Sequence, residues 1–434
     1  MSRIVVAALF IALSGSLFAA EEWDDDDWGD DSWGEAVDGE SAAAHVQGFY
    51  ELGLGRRSQN DPAHSEDLTL AEARARLELD GYLGESSYSF KGDLYTDGVE
   101  HGLKADLREA LFAFSPTQQV DLRVGQQVLT WGTGDLLFLN DLFAKDWVSF
   151  FAGRDDGYLK APSASLKASY YGQSGVNLDL VWTPVFTHDR FIDGERFSYF
   201  SPALGANVAA PDGKLIPEEP EKTLDNGELA TRLFWQQDGT EWALYGYRGF
   251  WKQPNAMRLD NSAFFSRLNV AGASVRGNWL GGIANVELAY YDGEDSVGDD
   301  PLMPNNQLRA LAGYERELMP KLTMGLQYYL EWAKDYAALS ASDGNTPYRS
   351  DEYRHLLTLR LNYRLMQDNL ILSWFGFWSP SDEDYYLRQS AKYRIDDAWS
   401  VTVGANIFGG RQRHSFFGQF EDASNIYARL RYAY

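Results

Sequence analysis

The chain has 434 residues, no cysteine, and 64 acidic residues against 38 basic ones, which gives a formal net charge of −26. Disulfide bonds are therefore excluded, and we do not expect a chain this acidic to bind nucleic acid. Aromatic residues make up 15% of the chain, yet its mean hydropathy is only −0.39. This combination is typical of a membrane barrel whose lumen and loops are hydrophilic.

The first 20 residues have the pattern of a secretory signal peptide. Arg3 supplies a positive charge, residues 4–13 are apolar, and small residues suited to cleavage follow near Ala19 or Ala20. The apolar stretch is too short to form a membrane-spanning helix. We therefore predict that residues 1–20 direct export and are then removed.

An acidic segment follows the predicted signal peptide. Residues 21–40 contain eleven acidic residues, no basic residue and three tryptophans, Trp23, Trp28 and Trp33. Like charges this dense resist collapse, so we predict that residues 21–42 form a disordered periplasmic segment. A second hypothesis is that its tryptophans dock on a periplasmic partner.

From residue 43 onward, apolar and polar residues alternate in segments of about ten residues, close to the ~9–11 that a tilted strand needs to cross a bilayer. Segments 322–332 and 399–407 show the pattern, and segment 71–81 shows it most clearly. The polar face of segment 71–81 consists of Glu72, Arg74, Arg76, Glu78 and Asp80. A period of two puts these charges on one face of a strand, and five consecutive charges indicate a wide, wet lumen.

Short turns alternate with long polar loops, of which residues 184–227 are the longest. Short periplasmic turns and long outer loops are the expected asymmetry of an outer-membrane barrel. We predict an all-β fold, a transmembrane antiparallel β-barrel of 18 strands over residues 43–434. A count of 16 strands is the alternative, because residues 240–250 and 269–278 alternate poorly. A barrel of either size leaves room for an aqueous passage.

The last ten residues form the clearest terminal strand. Ala428, Leu430, Tyr432 and Tyr434 share one face of it, and Arg429 and Arg431 lie on the other. The segment resembles the C-terminal strand of bacterial outer-membrane barrels, in which a terminal aromatic residue serves as the assembly signal. The resemblance implies that the barrel-assembly machinery recognises the strand ending at Tyr434, that the protein lies in the bacterial outer membrane, and that outer-membrane lipid surrounds it. A buried strand of a soluble protein is the alternative for this segment alone.

Residues 131–162 follow a predicted strand at 120–129 and are rich in aromatic side chains. A loop of this length and composition is typical of a functional element that packs on the fold. We predict that it folds into the barrel mouth or lumen and constricts the passage. The constriction residues are Trp131, Asp135, Asp141 and Trp147.

Four short motifs stand in and before this loop. They are Leu-Arg-Glu-Ala at 107–110, Arg-Val-Gly-Gln-Gln at 123–127, Trp-Gly at 131–132 and Asn-Asp at 140–141. Together they resemble porin-like outer-membrane proteins of the alginate-export and related uncharacterised bacterial porin families. The resemblance implies a barrel that passes anionic polysaccharide or small solutes. It does not imply a substrate, because the lumen residues that select one lie outside these motifs.

The residues that we expect to line the passage are basic. They are Arg74, Arg76, Arg123, Arg360, Arg388, Lys392, Arg429 and Arg431. From Arg360 onward the lumen face is almost wholly basic, and barrel closure brings Arg429 and Arg431 towards Glu51. In one interpretation these charges pair across the wall and set only the shape of the lumen. In the other, a basic strip faces acidic constriction elements and favours anions.

No catalytic constellation emerges from the sequence. The six histidines have no Ser or Asp partner at a spacing that shares a strand face, and no Gly-x-Ser-x-Gly motif occurs. We predict no enzyme activity, no cofactor and no metal. The predicted function is a porin or channel that passes hydrophilic, anionic solutes or polysaccharide. The alternative is a barrel scaffold that houses or docks a partner of an export or electron-transfer complex.

Overall fold

The structure, a computed structural model, describes residues 44–342 and 346–434. The predicted signal peptide (1–20) and acidic segment (21–42) lie outside the described residues. Within the described residues, eighteen strands form one antiparallel sheet that closes on itself. The predicted fold class, a transmembrane antiparallel β-barrel, is confirmed, and so is the predicted number of 18 strands.

Strands are numbered in chain order. The barrel strands are β1 (His45–Arg57), β2 (Leu68–Leu83), β3 (Ser86–Asp97), β4 (Gly102–Thr117), β5 (Val120–Val128), β6 (Pro162–Tyr171), β7 (Val176–Thr183), β10 (Glu228–Gln237), β11 (Thr240–Phe250), β14 (Arg267–Trp279), β15 (Gly282–Asp292), β16 (Gln307–Met319), β17 (Leu322–Ala333), β18 (Tyr353–Leu365), β19 (Leu370–Ser379), β20 (Asp384–Arg394), β21 (Trp399–Gly410) and β22 (Asn425–Ala433). Two short hairpins lie in the long loops, formed by β8 (Tyr199–Ser201), β9 (Ala206–Val208), β12 (Ala256–Met257) and β13 (Ala263–Phe264). The α-helices of the described residues are α1 (Trp147–Ala152) and α2 (Tyr336–Ser342), and 3₁₀ helices occur at Asp156–Tyr158, Leu224–Asn226 and Gly418–Ala423.

Barrel closure depends on the pairing of the first and last strands. Strand β22 pairs with β21 on one side and with β1 on the other, and the β1 register runs from Phe49↔Ala433 to Arg57↔Asn425. Because lipid offers no hydrogen-bond partners, a sheet inside a membrane must close so that no strand edge is left unpaired. The pairing therefore provides the closed wall that a spanning barrel requires.

Alternation along each strand separates a lumen face from an outer face. On β2, Glu72, Arg74 and Glu78 are buried inside the barrel, whereas Leu77 on the other face is 45% exposed. On β11, the inward positions Ala243 and Tyr245 are apolar and pack in a filled part of the lumen. This packing explains why residues 240–250 alternate poorly in the sequence.

The outer face has the aromatic girdles of a membrane protein. Exposed Tyr353, Trp378 and Tyr385 lie near the ends that carry the long loops, and exposed Trp279, Trp399, Tyr432 and Tyr434 lie near the short turns. Short turns mark the periplasmic end of such barrels and long loops the outer end. One of these turns, Asp238-Gly239, has positive φ at both residues, as a tight hairpin requires. No helix in the described part of the chain is long and apolar enough to cross a membrane.

The two faces of β17 are expected to respond differently to the same added charge. Leu326 points outward and is 47% exposed, whereas Thr323 points into the lumen between Glu317 and Asn362. We expect Leu326→Arg to lower the free energy of unfolding by about 2–4 kcal/mol, and Thr323→Arg to change it by less than about 1 kcal/mol. Urea unfolding in phospholipid vesicles, followed by heat-modifiable gel mobility, measures both. Equal losses in the two variants would contradict the assignment of the faces.

Candidate solute passage

The chain between β5 and β6, residues 129–161, folds into the barrel and is called the inserted segment. At its centre, the carbonyl of Phe151 accepts hydrogen bonds of 3.0 Å from Asn406 on β21 and from Asn425 on β22. The Phe151 ring packs 4.8 Å from the ring of Phe408 and 5.1 Å from that of Phe420. The predicted inward-folding loop therefore has an apolar core of its own inside the lumen.

Local sequence signals position this core. The Asp146 side chain caps α1 by accepting a 2.7 Å hydrogen bond from the Ser149 amide. Gly153 ends the helix with φ of +81°, where a Cβ would also meet the ring of Tyr427. Helix α1, which lies between these two residues, directs Phe150 and Phe151 towards β20–β22, where both are fully buried.

On the opposite wall, Glu287 of β15 is the main polar anchor. Its carboxylate accepts hydrogen bonds from the hydroxyl of Thr133 at 2.8 Å, the amide of Gly134 at 2.8 Å and the side chain of Asn140 at 2.7 Å, and it also accepts one from the Thr133 amide. Hydrogen bonds to a charged acceptor are stronger than neutral ones. Glu287 is 1% exposed, so this carboxylate fixes residues 133–140 against the wall without contact with solvent.

Asp135 pairs with the first arginine of the predicted basic strip. Its two oxygens contact Nε and Nη2 of Arg360 on β18 at 2.5 and 2.6 Å. The side chain of Gln327 on β17 binds both the amide and the carbonyl of Asp135, at 2.7 and 2.8 Å. Burial raises the pKa of the Asp135 carboxyl, and Arg360 opposes that rise without cancelling it.

Two further carboxylates of the inserted segment pair with the remaining strip arginines. Asp155 lies 3.2 Å from Arg429 and 3.1 Å from Arg431, and Asp156 contacts Arg388. Burial favours the neutral acid at Asp155, but Arg431, Arg429 and Lys392 outweigh it and hold its pKa well below the usual range. The segment therefore reaches the wall with negative charge where the wall is positive.

Near β2 and β3, the inserted segment joins a network of buried charges. Arg154 pairs with Glu72, and the hydroxyl of Tyr158 donates a 2.6 Å hydrogen bond to Asp93. Arg74 and Arg76 bind the same Asp93 at 2.7 and 2.6 Å. Burial raises the pKa of the Tyr158 hydroxyl more than Arg76 and Arg74 lower it. The hydroxyl therefore keeps its proton and remains a donor.

The structure places the predicted site residues in three groups. Arg360, Arg388, Arg429 and Arg431 contact carboxylates of the inserted segment, and Lys392 lies on the same wall. Arg74 and Arg76 belong to the network around Asp93, and Arg123 faces the lumen from β5 opposite Lys167.

Within the segment, Trp131 packs 5.0 Å from Phe143, Asp141 binds Lys145 at 2.9 Å, and Trp147 donates a 2.9 Å hydrogen bond to Asp189. The sequence pattern places Glu287 on the lumen face but does not identify it as an anchor, and it does not identify Asp155 and Asp156 as partners of the basic wall.

Part of the predicted outer loop 184–227 also packs inward. Phe197 is fully buried against Phe151, and Arg196 ion-pairs with Asp97 on β3 and lies 3.0 Å from Glu100. The sequence predicts 184–227 as a long polar outer loop, and within it Arg196 and Phe197 are buried because their side chains complete the packing above α1. The residues beside them border a cavity of about 480 Å³ near the outer ends of β3 and β4.

Comparison with solved structures bears on this architecture. Acinetobacter baumannii OccAB3 aligns with a TM-score of 0.53 at 8% identity, over 91% of this chain and all of its own. The fold is that of an outer-membrane porin. Pseudomonas aeruginosa OccK9 (OpdG) aligns with a TM-score of 0.52 at 11% identity, over 90% of this chain and 97% of its own. The predicted localisation, the bacterial outer membrane, agrees with this porin fold and with the girdled outer face. No protein-family model and no curated protein matches the sequence, and the resemblance to alginate-export proteins stays a prediction.

Removing the charge of Glu287 is expected to loosen the attachment of residues 133–140 of the inserted segment to the barrel wall. Glu287→Gln replaces an acceptor oxygen by a donor, so docking of residues 133–140 should weaken by about 1.5–3 kcal/mol. Backbone hydrogen exchange of those residues measures the change. Glu241→Gln is the matched control, because Glu241 pairs with Arg232 on the neighbouring strand at 2.8 Å. Unchanged exchange in Glu287→Gln, or equal acceleration in the control, would disprove the anchor.

Acid is expected to act in opposite directions at Asp155 and Asp135. Docking lowers the pKa of Asp155, so its stabilisation is complete above the ordinary carboxyl pKa of about 3.9 and is lost as pH falls below that value. Docking raises the pKa of Asp135, so its contribution grows as pH falls through the raised pKa. Hydrogen exchange, corrected for intrinsic rates, should show residues 153–157 losing protection below about pH 4 while residues 133–137 keep theirs. The reverse order would contradict the assignment.

Proposed function

We propose that the protein is an outer-membrane porin that passes hydrophilic solutes with a preference for anions. The observation that carries the proposal is the charge of the wall formed by β18–β22. These five strands contain a single acidic residue, Asp384 at the outer end of β20, whereas their lumen faces carry eight basic ones. The basic lumen-facing residues are Arg354, Arg360, Arg364, Arg388, Lys392, Arg394, Arg429 and Arg431.

The inserted segment neutralises only part of this wall. Its carboxylates Asp135, Asp155 and Asp156 meet the middle of the wall, while Arg364 and Arg394 stand at the periplasmic ends of β18 and β20. A lumen with one positive wall concentrates anions and orients them in the field between the wall and the carboxylates of β1–β4. Small anions or an anionic polysaccharide are the solutes that this field favours.

The other predicted roles are proposals of the same kind. We propose that the barrel-assembly machinery recognises β22 and the terminal Tyr434, and that the barrel performs no catalysis. The alternative function, a scaffold that docks a partner of an export or electron-transfer complex, rests on the acidic segment 21–42. That segment lies outside the described residues, so conductance is the measurement that separates the two functions.

Planar-bilayer conductance of the full-length barrel tests the proposal. In a KCl gradient, the wild type should conduct with a reversal potential that favours chloride. Lys392→Glu should lower the chloride preference by about threefold or more, because two charge units beside a hydrated passage are worth on the order of 1 kcal/mol. Lys91→Glu is the matched control, since Lys91 also faces the lumen but stands beside Glu78 on the acidic side.

A variant in which a short Gly-Ser linker replaces residues 131–159 completes the test. Larger conductance in this variant would show that the inserted segment constricts the passage. A silent wild type that the replacement opens would identify a plugged conduit. Silence from both, with folding shown by heat-modifiable mobility, would overturn the porin proposal in favour of the scaffold.

A further inference from the structure

The outward face of the barrel wall carries very few acidic residues, lysines or arginines. By parity along the eighteen barrel strands, they are Arg56, Arg248, Arg267, Asp292 and Arg316. Arg56 has an acidic partner, because its guanidinium lies 2.6 Å from Asp67. Arg248 on β11 and Arg267 on β14 are exposed, and within the described part of the chain neither forms an ion pair. Among these five residues, they are the only cations on neighbouring strands.

The sheet register brings these two arginines together. Arg248 stands opposite Asn269 on β14, so Arg267 is its diagonal neighbour, and residues in such positions lie about 7–8 Å apart. The Arg267 guanidinium lies over the ring of Phe250 on β11, 4.8 Å from the ring centroid, and donates a 2.7 Å hydrogen bond to the side chain of Asn226. It therefore extends across β11 on the outer side of Arg248, and the two cations lie side by side.

This pair of arginines stands at the level of the outer lipid headgroups. Arg248 shares a cross-strand row with Leu229 on β10 and with the exposed Trp182, which is one residue from the outer end of β7. Exposed tryptophans near strand ends mark the boundary between hydrocarbon and headgroups. An arginine in the hydrocarbon is destabilising, whereas an arginine at this boundary costs little and attracts anionic headgroups.

Towards the membrane centre from the arginines, the outward surface has a notch. In the next row, Gly246 on β11 stands opposite Ala271 on β14, and Thr231 on β10 and Tyr290 on β15 flank them. Two neighbouring strands therefore carry no side chain larger than a methyl group in this row, whereas Tyr290 is 41% exposed and forms one side. Because strands lie about 4.8 Å apart, the notch is about 10 Å wide, which is enough for an acyl chain.

We propose that Arg248 and Arg267 bind a phosphate group on the headgroup of an outer-leaflet lipid, and that an acyl chain of the same lipid occupies the notch. Guanidinium groups bind phosphate oxygens through paired hydrogen bonds, and two of them match the charge of a phosphate monoester, which approaches two negative units. Two adjacent cations repel each other, so the bound phosphate also relieves that repulsion.

The carboxylates on the β15 side of the pair leave both guanidinium groups without an ionic partner. Glu294 accepts a 3.2 Å hydrogen bond from the backbone amide of Arg267, and Asp292 stands opposite Asn269. The inference does not depend on the porin proposal, because a lipid binds the outside of the wall whether or not the barrel conducts.

Native mass spectrometry of the folded full-length protein in detergent micelles counts bound lipid and tests the proposal. The probes are diphosphorylated lipid A, dephosphorylated lipid A with the same acyl chains, and inorganic phosphate. The wild type should retain one diphosphorylated lipid A, and the double variant Arg248→Gln with Arg267→Gln should bind it at least tenfold more weakly, because each arginine contributes attraction. Arg316→Gln is the matched control, since it makes the same change on the outward face at the periplasmic end of β16. It should bind as the wild type does.

Ala271→Leu separates a bound lipid from a free anion. It fills the notch and leaves both arginines in place, so it should weaken the binding of lipid A by about threefold or more without changing the binding of inorganic phosphate. Inorganic phosphate that binds the wild type as tightly as lipid A, with no effect of Ala271→Leu on either probe, would identify an anion site and overturn the lipid site.

Three further results would overturn the inference. They are wild-type affinity for lipid A in the double variant, an equal loss of affinity in Arg316→Gln, and binding of dephosphorylated lipid A as tight as that of the phosphorylated form. A dimer of the wild type that the double variant loses would assign the arginines to a second copy of the chain and also overturn it. If the double variant does not fold, Arg248→Gln and Arg267→Gln decide the question separately, and each should lose about threefold or more in affinity.

Discussion

Every backbone N–H and C=O group of the spanning strands needs a partner, because lipid supplies none. The pairing of β22 with β1 meets this requirement. It also determines which inward residues lie beside one another across the closing strands. Glu51 comes to lie beside Arg429 and Arg431 through this pairing, although 378 and 380 positions separate them in the chain. The charge pattern of the lumen is thus a consequence of how the wall closes.

The lumen contains two different kinds of packing. Towards β20–β22, the rings of Phe150 and Phe151 join Tyr386 and Phe408 in an apolar cluster, and Tyr386 stacks 4.3 Å from Phe408. Around this cluster, carboxylates of the inserted segment meet arginines of the wall. Buried charges are tolerated only when they are paired, and an unpaired one costs several kcal/mol. The segment therefore belongs to the interior structure of the barrel, and both charge pairs and apolar contacts hold it there.

The strand pattern was predictable because its cause is local. A residue such as Arg74 or Leu77 takes its face from its parity along β2, so 71–81 identified the lumen side without any knowledge of the fold. The partners of the inserted segment were not predictable in this way. Glu287 meets Thr133 across 154 positions, and Asp135 meets Arg360 across 225, so both contacts depend on barrel diameter and shear. The burial of Phe197 was missed for the same reason, although the phenylalanines in an otherwise polar loop were a signal.

The two hydrogen bonds to the Phe151 carbonyl have a consequence for assembly. Their donors, Asn406 and Asn425, come 255 and 274 positions later and belong to the last hairpin of the chain. Until that hairpin joins, Phe151 lacks the rings of Phe408 and Phe420, and the apolar cluster stays incomplete in an open sheet. Exposed apolar surface of this kind makes folding intermediates prone to aggregation. The final hairpin therefore closes the wall and completes the apolar cluster in the same step, which makes the end of biogenesis cooperative.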